Sequence, residues 1–324
     1  MNIIRASMLS LLFVMLLVVV GCSSDEREST DRYPEKSIEL VVAFSPGAAT
    51  DTQARIVGKY AQEYLGEELV IVNRPGGGGQ VGWNHFSNVN PDGYVLSAYN
   101  LPHIITQPLV GQTSFEIDTF EPIVNWGWDP TVFAVRSDSS ITDLEGFVEK
   151  AKASPGEITI GNAGQFVGQH LAILLFEDAA GVELEDIPFQ GAADAIASLL
   201  GGHTDVVSGN LSDMYRLGED VRILAVATEE RHEFIPDVPT FAELGFSEVV
   251  MSTDRGIAAR QGTPESIIQY LEDGFMELLQ DEGFLAEMEQ AGVDLLIMDR
   301  EETIAEFETR TEQYQELLNS IDIE

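Results

Sequence analysis

The chain alternates between short apolar runs of strand length and longer stretches in which apolar residues recur every three or four positions. Residues 38–44 form a β-branched run, and a tight turn at Ser45-Pro46-Gly47 follows it. Beyond the turn Ala54, Val57, Ala61 and Leu65 share one helical face, which predicts a helix opening near Thr50. Thr50 with Gln53 three residues on fits a capping box. The same alternation predicts strands at 69–72, 94–99, 131–136, 157–160, 184–187, 204–207 and 221–227, an extended segment at 249–260, and a short strand at 294–297. Helices are predicted through Trp83 and Phe86, over 103–109, over 143–153 behind the capping pair Thr142 and Glu145, and through Leu171, Leu174 and Leu175. A small-residue helix ends at Leu200, and amphipathic helix dominates beyond Pro264.

Strands alternating with helices imply an α/β fold with largely parallel sheets. In such sheets ligands sit beyond the carboxyl ends of the strands. Three strand ends here carry small-residue loops, 45–50, 161–168 and 188–192, and two lobes facing each other through them would make a cleft. The first-turn N–H groups of a helix have no helical partners and sit at the positive end of its dipole, so a strand–turn–helix start suits an anion. The plain alternative is a well-made turn.

The N-terminus adds an address. In residues 1–22 Arg5 is the only charge, and the apolar run from Met8 to Val20 is short for a bilayer span. It ends in Val19-Val20-Gly21-Cys22, which resembles the lipobox of bacterial lipoproteins and implies lipidation of Cys22, the only cysteine. One cysteine leaves no internal disulfide framework. Residues 23–32 are polar and read as a tether, and no second long apolar run follows.

The formal net charge is −38, with four Lys against 55 acidic residues. That balance argues against nucleic acid and anionic lipid head groups as partners and suggests adaptation to high salt. An organic anion would need a local site of N–H groups to offset the global field.

Catalytic and cofactor patterns are weak. Gly77 to Gly82 matches G-x-G-x-x-G after a strand, but 97–103 has no acidic residue to hold a ribose, so a tight backbone turn is favoured over a dinucleotide site. The five His, at 85, 103, 170, 203 and 232, show no metal-protease spacing, and no G-x-S-x-G elbow occurs. No cofactor, metal or catalytic residue is expected. The rival is a secreted α/β hydrolase using His170 or His103. Of the aromatic residues near loops, Phe44, Trp83, Trp126, Trp128, Phe166 and Phe189, most read as packing, while Phe166 sits inside a strand-end loop and is a candidate to face ligand.

Together the segments resemble the substrate-binding proteins of tripartite tricarboxylate transporters, the Bug receptor family, over about 33–297. The carrying pieces are Tyr33-Pro34, Pro46-Gly-Ala-Ala-Thr-Asp51, Val72-Asn-Arg-Pro-Gly76 with Gly79, Pro91-Asp-Gly-Tyr94, Ala151-Lys-Ala-Ser-Pro-Gly156 and Ile187-Pro-Phe-Gln-Gly191. Further on stand Gly201-Gly202 with Asp205, Leu224-Ala225 with Arg231, Pro236-Asp-Val-Pro-Thr-Phe-Ala-Glu-Leu-Gly245 and Gly262-Thr-Pro264. The resemblance implies a two-lobed Venus-flytrap fold of the periplasmic-binding type, with lobe one at 33–134 plus 250–324 and lobe two at 135–249. It implies a monomeric extracytoplasmic receptor that carries a small organic acid to a membrane permease, held at the membrane by its lipid anchor. A ligand sensor without transport stays open.

By the same resemblance the ligand is held by Phe44, Ser45, Pro46, Gly47, Ala48, Ala49, Thr50 and Asp51 in lobe one. Lobe two supplies Asn162, Ala163, Gly164, Gln165, Phe166 and Val167, with Phe189, Gln190, Gly191 and Ala192. The contacts are N–H groups and ordered water. Arg255 is either a carboxylate partner or half of a structural ion pair with Asp254 or another acid. Three departures from the family pattern, Ala48 for a second Gly, Phe166-Val167-Gly168 for small polar residues, and Phe189-Gln190 for Tyr-Lys, predict a ligand with an apolar or aromatic part.

Overall fold

The structure, a computed structural model, describes residues 32–111 and 113–321. The signal segment 1–22 with Cys22, and the tether up to residue 31, lie outside the described residues. The chain divides into two units, Met1–Glu35 and Lys36–Glu324. In the first, Arg32 and Glu35 form an exposed ion pair at 4.0 Å. The second carries the fold.

Strand β1 (Ile38–Val42) lies between β2 (Leu69–Asn73) and β3 (Val95–Leu101), parallel to both, with Val41 opposite Val72 and Ser97. Ile38, Leu40, Val41 and Val42 are fully buried, as a strand covered on both faces requires. Helix α1 (Ala49–Leu65) returns along the sheet and buries the predicted stripe Ala54, Val57, Ala61 and Leu65. Burying one such Leu contributes roughly 1.5–3 kcal/mol. The helix ends at Gly66, in the left-handed conformation, whose N–H bonds to Gln62 O.

Strand β9 (Ser252–Arg260) pairs antiparallel with β3 on one side and β4 (Phe120–Arg136) on the other. Gly256 lies opposite both Tyr99 and Asn125, and a Cβ there would stand 2.1 Å from Val124 O. Only glycine lets the three strands close at that point. Strand β4 changes partner midway. Phe120 to Pro130 pairs with β9, while Thr131 to Arg136 pairs with β7 (Val206–Asn210) and β8 (Val221–Val226). At the change, Thr131 N donates to Met251 O (2.9 Å), Met251 N to Ala227 O (3.0 Å) and Ala227 N to Thr131 O (2.8 Å). Beyond it β5 (Thr159–Asn162) pairs parallel with both β6 (Glu185–Pro188) and β7. Strand β10 (Asp294–Met298) pairs antiparallel with the first half of β4.

The connecting helices are α2 (Gln80–Phe86), α3 (His103–Leu109), α4 (Leu144–Ala153), α5 (Gly168–Ala180), α6 (Ala192–Leu200) and α7 (Leu211–Leu217). After β9 come α8 (Glu265–Leu278), α9 (Glu282–Gln290) and α10 (Arg300–Ser320). Among the described residues no helix is long and apolar enough to cross a membrane. Around β5 to β8 the core is aromatic: Phe133 meets Phe176 and Phe241 edge to face at 5.2 and 4.9 Å, and Phe147 stacks on Phe176 at 5.5 Å. Each such pair adds about 0.5–1.5 kcal/mol beyond burial.

Two caps differ from the sequence expectation. Thr50 lies inside α1, whose N-cap is Ala48 with no side-chain hydrogen bond, so the Thr50–Gln53 box does not form. Both side chains are drawn elsewhere by buried partners: Gln53 accepts from Trp126 Nε1 (2.8 Å), and Thr50 bonds to Asn100 and Arg255. Helix α4 is capped by Asp143, which accepts from Gly146 N (2.8 Å), rather than by Thr142.

Candidate functional site

Several of these strand ends and helix starts meet at one small cavity. Its lining is Phe44, Ala48, Ala49 and Thr50 at the start of α1, Asn100 and His103 between β3 and α3, Ala163 after β5, Gln169 in α5, Ala192 opening α6, and Asn210 ending β7. Its volume is about 10 Å³, room for roughly one water molecule. The helices α1, α5 and α6 all begin here, and none has a side-chain cap: their N-caps are Ala48, Val167 and Gly191. Three sets of first-turn N–H groups and three positive dipole ends therefore converge on one spot.

Thr50 supplies the one hydroxyl of the lining. Its Oγ1 accepts from Arg255 Nε (3.1 Å) and Asn100 Nδ2 (3.0 Å), which uses both lone pairs. Its own O–H donates to Asn100 Oδ1 over a long 3.4 Å, a bond that a ligand oxygen in the cavity can replace. His103 packs edge-on against Phe44 (5.9 Å) and Trp83 (6.2 Å). Burial, with the Arg255 charge nearby, pushes it down to about 3, so its ring is neutral at physiological pH. Its Nδ1 has no partner among the described residues, and neither has Gln169 Oε1, although Gln169 Nε2 donates to Asn210 Oδ1 (2.5 Å).

Arg255 lies beneath Thr50, 1% exposed, with its Nη1 2.8 Å from Asp129 Oδ2. Asp129 also accepts from Ser212 N (3.0 Å) and Ser212 Oγ (2.5 Å), so the guanidinium is neutralised within the fold. The partner is Asp129; Asp254, the neighbour in sequence, pairs with Arg310 at 3.4 Å instead.

The remaining sequence-predicted residues brace or seal the cavity. Ser45, Pro46 and Gly47 form the outer turn, with Pro46 and Gly47 exposed. Asp51 accepts from Gly47 N (2.8 Å), Arg55 Nε (3.0 Å) and Asn73 Nδ2 (2.7 Å). Burial raises its carboxyl, but these bonds outweigh it and hold the group below its ordinary value. In the opposite loop Asn162 accepts from Gly164 N (2.8 Å) and donates to Asp186. Phe166, at φ +54°, donates its N–H to His170 Nδ1 (3.0 Å) and lays its ring edge-on to His170 at 5.3 Å. It does not line the cavity; Gln165 is exposed, and Val167 is buried as the N-cap of α5. Phe189 packs at the core formed by β4, β7, α6 and α7, Gln190 Oε1 accepts from Gly77 N (2.9 Å), and Gly191 caps α6 near the Phe44 ring.

Asn100, His103, Gln169 and Asn210 were not among the predicted ligand contacts. The carboxyl-end position of Asn100 and Asn210 on parallel strands is the signal that singles them out.

Comparison with known proteins shows what the chain as a whole is similar to. Residues 53–323 match the family described as the tripartite tricarboxylate transporter family receptor. Protein BugT of Bordetella pertussis is 29% identical over 305 residues, spanning 92% of this chain and 93% of that one. The structure of the periplasmic binding protein BugD is similar at a TM-score of 0.83 and 28% identity, over 89% of this chain and 98% of that one. A TctC solute binding protein from Polaromonas is similar at a TM-score of 0.64 and 30% identity, over 89% and 99%.

Proposed function

The chain belongs to the tripartite tricarboxylate transporter receptor family, and on that premise we propose that the cavity described above is where it takes the carboxylate of a small organic acid. Receptors of this family work outside the cytoplasm with a tripartite transporter. The observation that carries the site is the convergence of the uncapped starts of α1, α5 and α6 on one cavity. An anion there gains N–H donors, dipole ends and the Thr50 hydroxyl, in a protein whose overall field is strongly negative. No unpaired cation is needed, because Arg255 is spent on Asp129.

The ligand body is apolar in part. Phe44, Ala48, Ala49, Ala163 and Ala192 make half of the lining. The division into two lobes falls at the partner change of β4 between Pro130 and Thr131 and at the return near Met251, which supports the boundaries at 134/135 and 249/250 to within a few residues. Acid enters as the lobes part and is held as they close. The protein is a binder that releases its ligand unchanged: a His103 held down to about 3 is a poor general base at neutral pH. Anchoring through a lipidated Cys22, and action as a monomer, are part of the same reading.

A thermal-shift screen of mono-, di- and tricarboxylates, aromatic acids and neutral solutes tests it. An acid present at about 100 times its dissociation constant adds roughly 2.7 kcal/mol of stability, readily seen in melting. If only neutral solutes shift the transition, the carboxylate reading fails.

A further inference from the structure

We propose a second binding site behind the strand crossing, for a small amphiphilic cation with an apolar body and a positively charged amine or guanidinium head. A cavity of about 880 Å³ opens there, within the range of drug-sized ligand sites, and it shares no lining residue with the carboxylate cavity. Its floor is where β4 and the chain entering β9 cross between the two halves of the sheet: Trp128, Ala227, Met251 and Ser252. One wall is the segment after β8, from Thr228 to Phe234. The other is Leu285 and Glu289 of α9 with Val293 to Leu295. His232 Nε2 joins the walls, 2.7 Å from Asp294 Oδ2.

The chemistry of the lining is two-sided. Trp128, Phe234, Val250, Met251, Leu285, Val293 and Leu295 give an apolar bed, and Val250 leaves 43% of its surface exposed to it and to solvent. The edge carries Glu229, Glu230, Glu233 and Glu289, exposed and without ion-pair partners among the described residues. Both lining cations are engaged elsewhere, Arg231 with Glu243 at 2.8 Å and Arg310 with Glu306 at 2.6 Å and Asp254 at 3.4 Å. The available charge is therefore all negative, beside an indole face that itself attracts cations. An apolar bed under unpaired carboxylates selects an amphiphilic cation and rejects the acids that the first cavity takes.

The test uses Trp128 as reporter, because it is half-buried while Trp83 and Trp126 are fully buried. The full chain is titrated with phenethylammonium at fixed ionic strength, following tryptophan emission, with neutral 2-phenylethanol as the comparison ligand. The expected result is a saturable one-site change with phenethylammonium and at least tenfold weaker binding of the alcohol. In the triple variant Glu229→Gln, Glu230→Gln, Glu233→Gln the dissociation constant rises tenfold or more. A control triple variant on an exposed surface elsewhere, Glu145→Gln, Glu149→Gln, Glu157→Gln, keeps the wild-type value. No saturable change, equal binding of the alcohol, or an equal loss in the control variant overturns the proposal, the last because it would mean attraction by the protein's overall charge.

Discussion

Gly164 lies so close to Gly78 that a Cβ built on it would stand 2.6 Å from Gly78 Cα. Beside this backbone contact Gly77 N donates to Gln190 Oε1 at 2.9 Å, and Thr106 Oγ1 donates to the Phe166 carbonyl. The glycine run after β2 thus acts as a flat surface that the loop after β5 touches, next to Ala163 of the cavity lining. On the proposed division this contact joins a loop of lobe one to a loop of lobe two, so it belongs to the closed form in which ligand is held.

Weakening this contact should therefore weaken binding. Gln190→Ala removes one hydrogen bond, worth about 0.5–1.5 kcal/mol, from the closed form. The apparent dissociation constant of an acid ligand is expected to rise about two- to tenfold by calorimetry. An unchanged or lower value would mean that the Gln190 contact does not help to hold the ligand.

Thr50 is the hydroxyl on which the cavity depends. Thr50→Val keeps the shape, removes the donor and leaves Arg255 Nε and Asn100 Nδ2 without their acceptor. Acid affinity is expected to drop about tenfold or more, and stability by about 1–3 kcal/mol. Thr50→Ser should retain both. If Thr50→Val binds acid as wild type does, the hydroxyl is not a ligand contact.

The Arg255–Asp129 pair is fully buried, and Asp129 also holds Ser212 at the start of α7. Removing one member leaves a charge without compensation. Asp129→Ala is expected to cost about 3–5 kcal/mol in urea unfolding. A cost under about 1 kcal/mol would show that Arg255 finds another partner, which would reopen it as a ligand contact.

His170 makes the loop after β5 sensitive to acid. Burial pushes it from 6.5 down to about 4, and its neutral Nδ1 accepts the Phe166 N–H. As pH falls from 6.5 toward about 4 the unfolded chain takes up a proton that the folded chain refuses, so this site's contribution to stability is lost over that window. Asp186, 3.4 Å away, works in the opposite direction: burial raises it to about 6, so its contribution is present below its ordinary 3.8 and is lost as pH rises through 6. The stability advantage of wild type over His170→Asn should shrink by up to about 3 kcal/mol between pH 6.5 and 4. Against Asp186→Asn the trend should reverse. Parallel curves in denaturant titrations at each pH would contradict both assignments.

Much of this was legible in the sequence, for physical reasons that differ by residue. The run through β1 and the stripe on α1 are strong because both are buried and regular. The first half of β4 was not legible: Pro122, Gly127 and Pro130 interrupt it, and its register shifts twice against β9, so no alternation survives. The short α7 also escaped, and Asn210 with it, since it starts directly at the end of β7 with no intervening turn to mark it. Thr50 was found for the wrong local reason, as a cap, when its partners lie 50 and 205 residues away. Phe166 stood out by its place in a loop, yet its ring turns to His170, with its backbone in the left-handed region.

The most direct measurement is a crystal structure of the protein with an acid found in the melting screen. A carboxylate is expected between the first turns of α1 and α6, within hydrogen-bond reach of Thr50 Oγ1 and of main-chain N–H groups, with Arg255 still on Asp129. A carboxylate bound instead to a cationic side chain, or seated away from the starts of α1, α5 and α6, would contradict it.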